Sequence, residues 1–220
     1  MTLQEAMEQR HAVRKYLDKP IEPEKAEELK KQMDALNAQY GIHMQLVLDE
    51  PKAFTNRRAS YGHFENAKNY IAMVASKDKE EEIGYAGEQV VLRAQQLGLN
   101  TVWVAMSFDK VDGFYKVESW EKVLLVVAIG YGENQGKPHK SKELEKVVKV
   151  EGDMPEWFRK GAEAALLAPT AINQQKFKFI LNEDGTVTAK AGLGPHSKAD
   201  LGIAKYHFEL GAGTETVRWK

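Results

Sequence analysis

Three short stretches of the chain carry side chains whose types and spacing could do chemistry. "RHAVRKY" (10–16) sets Arg10, Arg14 and Lys15 within a few positions of one another. Were it helical, Arg10 and Arg14 would share a face, and two guanidiniums side by side call for an anion between them, such as a phosphate taking paired charge-assisted hydrogen bonds. "GKPHKSK" (136–142) offers Lys137, His139, Lys140 and Lys142 directly after the apolar run "VLLVVAIGY" (123–131). The carboxyl end of a central strand is where open α/β sheets place ligands. The third stretch, "LLAPTAINQQKFKF" (166–179), puts Asn173, Gln174 and Gln175 at a helix-to-strand corner. One Asn or Asp would suffice for such a turn, whereas an amide presents a donor and an acceptor side by side. Each stretch also has a plainer reading: a solvated basic surface for the first two, a local backbone cap by Asn173 for the third.

Other patterns are negative. "GYGENQG" (130–136) imitates a dinucleotide turn, but its spacing is G-x-G-x-x-x-G and Pro138 obstructs the helix that should follow. The six histidines show no metal-ligand spacing, and His207 in "KYHFEL" reads as a packing residue near the end of the last helix. No G-x-S-x-G elbow or Ser/His/Asp set can be picked out. If the chain is an enzyme, a cofactor carries the chemistry.

Composition narrows the field further. With 31 basic and 32 acidic residues the formal net charge is −1, which argues against a nucleic-acid partner. There are no cysteines, so disulfides, thiolate metal sites, cysteine nucleophiles and iron–sulfur clusters are excluded. The start of the sequence lacks an apolar signal-peptide core, and no apolar run is long enough to span a bilayer. The expectation is a soluble cytoplasmic protein without a membrane partner.

The elements that must position these residues can be read from period and punctuation. "TLQE" (2–5) is a capping box, with Thr2 as N-cap of a short helix reaching about Arg10; a loop follows. A helix is expected from Pro23 to Gly41, then a half-buried strand over 42–49 and a polar connection over 51–69. An interior strand (70–76), a helix opening in "DKEEE" and stopping at Gly98, and a strand over 101–105 come next. A short helix around 108–116 precedes the central strand 123–131. In the second half Asp153 and Glu156 are read as caps of a helix, "KFKFIL" and "TVTAKA" as a hairpin around "NEDG", 198–211 as a last helix and 216–219 as a terminal strand. Gly84–Ala86 and Gly202–Ala204 sit at equivalent places in two helix–strand series, and Trp103 matches Trp219, which suggests an internal pseudo-twofold repeat.

Taken together, "RHAVRKY", "APTAINQQKF" (168–177) and "GLNTVWVA" (98–105) followed by "VVAIGYG" resemble the nitroreductase family of flavin-dependent oxidoreductases. That family shows R-[RH]-S-x-[RK]-x-[FY], A-P-S-x-x-N-x-Q-P-W, and a G-L-G-x-x-W strand followed by [VI]-A-[IL]-G-Y. Here the A-P-x-x-x-N segment follows the lysine loop, which is similar to the smaller branch typified by thermophile proteins. Ala12 replaces the usual Ser, and Lys176-Phe177 replaces Pro-Trp.

The resemblance implies an α+β fold with a central, mostly antiparallel sheet flanked by helices, and bound FMN; the chain is read as one domain over 1–220, which the suggested repeat would divide into 1–150 and 151–220. Arg10, His11, Ala12 and Arg14 would lie along the FMN phosphate, ribityl and pyrimidine edge. Lys140 and Lys142 would take the phosphate, and Asn173 would hydrogen-bond the isoalloxazine with Gln175 close by. Backbone groups at Val104, Ala105 and Met106 would face the flavin N5/O4 edge. The implied activity is a ping-pong transfer of electrons from NAD(P)H (NADH or NADPH) through FMN to a small-molecule acceptor, a nitroaromatic, quinone or another flavin. The family's site is built at a homodimer interface, which a single-chain pseudo-dimer could replace. Two rival readings stand beside it: a non-catalytic flavin or nucleotide binder of the same fold, and a phospholigand-binding protein without flavin.

Overall fold

The computed structural model describes residues 1–55 and 59–220; positions 56–58 of the expected polar connection lie outside the described residues. The first helix, α1 (Leu3–Gln9), opens on the expected capping box, with Thr2 N–H donating to Glu5 Oε2 at 2.7 Å and Glu5 N–H to Thr2 Oγ1 at 3.1 Å. Helix α2 (Pro23–Tyr40) begins on its proline and ends at Gly41, whose φ of 63° suits glycine.

Strands β1 (His43–Val47), β2 (Tyr70–Ala75), β3 (Asn100–Val104) and β4 (Lys122–Gly130) form an antiparallel sheet in the order β1-β2-β4-β3. β2 reads as one apolar run because both of its faces are covered. Ile71, Met73 and Ala75 join the core under α2 and helix α3 (Glu80–Gln96), while Tyr70, Ala72 and Val74 face a second core with Val13, Tyr16 and Phe54. α3 starts where three glutamates meet the positive end of the helix.

The second half builds a smaller sheet. β5 (Val148–Lys149) pairs parallel with β6 (Phe177–Leu181), which pairs antiparallel with β7 (Val187–Ala191) through a turn closed by Asn182 N–H to Thr186 O at 2.9 Å. Helices α4 (Glu156–Ala165) and α5 (Ser197–Ala212) cover it. Phe208 of α5 packs between Phe158, edge to face, and Phe179, tilted, with centroids 5.3 and 4.5 Å away. This is the expected mixed α+β architecture, with an antiparallel sheet flanked by helices.

Three expected elements differ. Residues 108–116 form turns rather than a helix, with Gly113 at φ 88° and Val111 N–H donating to Tyr115 Oη. At the start of α4, Pro155 takes the N-cap position and no side chain caps the helix, so Glu156 is its first residue rather than its third and cannot bond back as expected. Residues 216–219 contribute a single bridge, Trp219 to Val187, instead of a strand.

The two halves meet where α3 crosses α5, and the contact is reciprocal. A Cβ at Gly84 would overlap the carbonyl oxygen of Ala199, and one at Gly202 would overlap that of Glu81. Each glycine thus faces the residue three positions before the other. Alanine at Gly202 or Gly84 forces backbone apart, an overpacking cost that outweighs the helix-propensity gain of about 1 kcal/mol. Each variant is expected to lose about 2 kcal/mol in urea unfolding.

Candidate functional site

The first basic stretch is extended, because α1 stops at Gln9 and Arg10 is its C-cap at φ −70°, ψ 115°. Ala12 bridges Thr101 at the start of β3, with Val13 N–H donating to Thr101 O at 3.1 Å. Tyr16 bridges Gly132 beyond the end of β4 and donates its hydroxyl to Val13 O at 2.7 Å. Buried Val13 and Tyr16 therefore pin the segment, leaving His11 half-buried and Ala12 and Arg14 exposed. Arg14 makes no side-chain hydrogen bond or ion pair among the described residues and is open to an anion.

Arg10 goes inward. It is 3% exposed, and its Nε lies 3.6 Å from Glu88 Oε1 on α3. Neither Nε nor Nη1 has a hydrogen-bond partner among the described residues. Burial lowers its basicity, which the Glu88 charge partly restores. Burial first, then the Arg10 charge, holds His11 below the ordinary imidazole range, so it is neutral at pH 7. The sequence reading missed Glu88, although a carboxylate between Gly84 and Val91 on the buried stripe of α3 is a readable signal. It also took His207 for packing alone, whereas His207 Nε2 lies 2.9 Å from Glu88 Oε1.

The lysine loop runs from the first stretch to the amide corner. Gly132 N–H donates to Asn100 Oδ1, and Gly136, at φ 72°, packs so closely on His11 that a Cβ would lie 2.7 Å from its side chain. These glycines permit close backbone approach, and residues 133–143 after them form no helix. His139 Nε2 and Ser141 Oγ then meet Leu166 O at 2.9 and 3.1 Å.

At the corner, Asn173 and Gln175 hold this loop. Gln175 Nε2 donates to Lys140 O and to Asn173 Oδ1, its Oε1 accepts from Lys142 N–H, and Asn173 Nδ2 donates to Lys140 O. Lys142 Nζ returns two bonds, to the carbonyls of Gln174 and Gln175, at 2.8 and 3.0 Å. Ile172, Asn173 and Gln175 all have positive φ, and Ile172 is 87% exposed. The corner is fastened below by Asp200, which accepts from Ala171 N–H at 2.9 Å and Gln174 Nε2 at 2.7 Å.

β3 is an edge strand. Its Thr101 carbonyl faces outward to Val13, and by strand alternation the backbone of Trp103 faces the same way. Beyond it Val104 is buried, Ala105 half-buried and Met106 75% exposed. The structure thus joins residues 10–14, the start of β3, the lysine loop and Asn173 with Gln175 in one chain of contacts. Val104, Ala105 and Met106 belong to it through β3 alone. Clefts of about 700 and 510 Å³ elsewhere are lined by none of these residues. Among the described residues no group of three or more His, Asp or Glu is placed to hold a metal, and no helix is long and apolar enough to cross a membrane.

A family model described as "Putative TM nitroreductase" matches residues 2–212. The chain belongs to this nitroreductase family. A solved nitroreductase from Thermotoga maritima shares the fold at 23% identity, with TM-score 0.65 over 96% of this chain and 83% of that one. A nitroreductase family protein from Streptococcus pneumoniae aligns at 14% identity and TM-score 0.53 over 67% of this chain and 99% of its own. The NfrA1 nitroreductase from B. subtilis aligns at 15% and 0.53, over 66% and 72%. A search of the curated proteins finds no match.

Within this nitroreductase chain, Asp200 makes the amide corner sensitive to pH. Burial raises its carboxyl to about 6, against the opposing bonds from Ala171 and Gln174. The folded state therefore binds the proton more tightly than the unfolded chain, so this group lowers stability as pH rises from about 4 to 6. The expected contribution is roughly 3 kcal/mol, measured as a slope in unfolding free energy over that range that Asp200→Asn removes.

Proposed function

We propose that this protein is an FMN-dependent oxidoreductase that passes electrons from NAD(P)H to a small organic acceptor, a nitroaromatic, quinone or related compound. Membership of the nitroreductase family supports an oxidoreductase role. The observation that carries the cofactor assignment is Arg10: a guanidinium 97% buried with Nε and Nη1 unpaired is a donor set awaiting an acceptor. An anionic flavin fits that requirement.

The residues divide the work by exposure. Exposed Arg14 and Lys140 take the phosphate, with Lys142 alongside, while buried Arg10 faces the inner, less hydrated part of the cofactor. Neutral His11 and the open backbone edge at Trp103 supply uncharged donors and acceptors, with Val104, Ala105 and Met106 lying next along the same segment. Gln175 fixes the lysine loop, and Asn173, exposed at the corner, offers its remaining amide capacity to the ring edge. When bound, FMN supplies the two-electron chemistry, and the protein holds it, orients it and shields one side from water. The reciprocal crossing of α3 and α5 supports a pseudo-twofold arrangement in which one chain provides both sides of the site.

The test is the visible spectrum after loading with FMN and removing the excess, repeated anaerobically with NADPH and then NADH. Retained colour that bleaches is expected. Retained colour that neither nicotinamide bleaches makes the protein a flavin-binding module, and no retained colour refutes the assignment. Arg14→Ala removes a charge-assisted phosphate contact of about 1.5–3 kcal/mol and is expected to weaken FMN binding about tenfold to a hundredfold in a fluorescence titration.

A further inference from the structure

Glu88 is a buried carboxylate whose hydrogen-bonding capacity is taken from two sides. Trp103 Nε1, from β3, donates to Oε2 at 2.8 Å, and His207 Nε2, from α5, meets Oε1 at 2.9 Å. Glu88 and His207 side chains have no exposed surface. Arg10 is left with a charge contact of 3.6 Å to Oε1, longer than a hydrogen bond.

The other ring nitrogen of His207 also faces an acceptor, the carbonyl oxygen of Ala164 on α4 at 3.3 Å. His207 Nε2 thus occupies Oε1, the same carboxylate oxygen that Arg10 Nε approaches, so the two side chains compete for it. Tyr206, also on α5, stays neutral, since burial and then the Glu88 charge push its phenol up to about 12. The cluster then sets Arg10 and His207 against one carboxylate. The donors left unpaired are those of Arg10.

We propose that Glu88 and His207 are positioning residues that set the charge Arg10 presents to the bound flavin. This rests on the FMN reading above. Glu88 draws Arg10 inward, and His207 offsets Glu88 and so leaves Arg10 available. Reduced flavin is more negative than oxidised flavin, so the balance acts most strongly on the reduced form. Through His207, the second half of the chain adjusts a site whose contacts to Arg10 belong to the first.

The experiment measures the midpoint potential of bound FMN, and the affinity for oxidised FMN, in the full chain carrying Glu88→Gln or His207→Gln. Glu88→Gln is expected to move the potential in the positive direction and His207→Gln in the negative direction. Each shift is expected at about 30 mV, an approximately tenfold change in the relative affinity for the reduced form in a two-electron couple. Opposite signs are the signature, because a cluster that merely holds the fold would weaken FMN binding and thermal stability in both variants without dividing the potentials. Should Glu88→Gln fail to fold, Trp103→Phe leaves the carboxylate charged but strips one donor, and is expected to shift the potential as His207→Gln does. Shifts of one sign in the two glutamine variants, or unmoved potentials with FMN retained, overturn this proposal and leave the flavin assignment standing. Wild-type protein that retains no FMN overturns both.

Discussion

Helices α3 and α5 meet backbone to backbone through Gly84 and Gly202, and the other arrangements follow from that contact. Helices that touch through glycine sit nearer than side chains would permit, and that proximity brings Glu88 of α3 to His207 of α5. It also fixes the small sheet, held by the Phe158, Phe179 and Phe208 cluster on α5, relative to the four-stranded sheet under α3. Asp200, beside Gly202 in α5, is carried to the amide corner by the same placement. One pair of missing Cβ atoms therefore bears on the core and on the candidate site together.

A buried guanidinium, carboxylate and imidazole in one place is costly unless its members satisfy one another. Here the carboxylate is satisfied and the guanidinium is not. That asymmetry separates this cluster from an ion pair serving only the fold, in which each charge would find its complement within the protein. The exposed cations of the lysine loop need no such arrangement, because water solvates them until an anion arrives.

Much of this was legible in the sequence, for local reasons. Thr2 and Glu5, Pro23 and Gly41, and the stop at Gly98 mark helix ends through short-range geometry, and the alternation or continuity of apolar residues marked β1, β2 and β4. The motifs at 10–16, 98–105 and 168–177 brought the family with them. What escaped depends on contacts distant in sequence. No pattern within α3 says that Glu88 meets an arginine from the N-terminal segment and a histidine from the last helix. The amides at 173–175 were read toward a ligand; Asn173 and Gln175 also fasten the backbone of residues 140–142 and Gln174 bonds Pro195 and Asp200, partners only the tertiary structure supplies. At Asp153 the local rule was right in kind but met a proline that moved the helix start.

The corner at residues 172–175 places Ile172, a β-branched residue, at φ 48° with its side chain in solvent, a conformation that costs about 1–3 kcal/mol and returns nothing to the core. It persists because Gln175 and Lys142 bond across it from both directions. The loop that carries Lys140 is thus ordered as part of folding. A ligand that bound there would meet a surface whose freedom has already been surrendered, with little further loss of conformational entropy and with selectivity resting on shape set in advance rather than on closure around the guest.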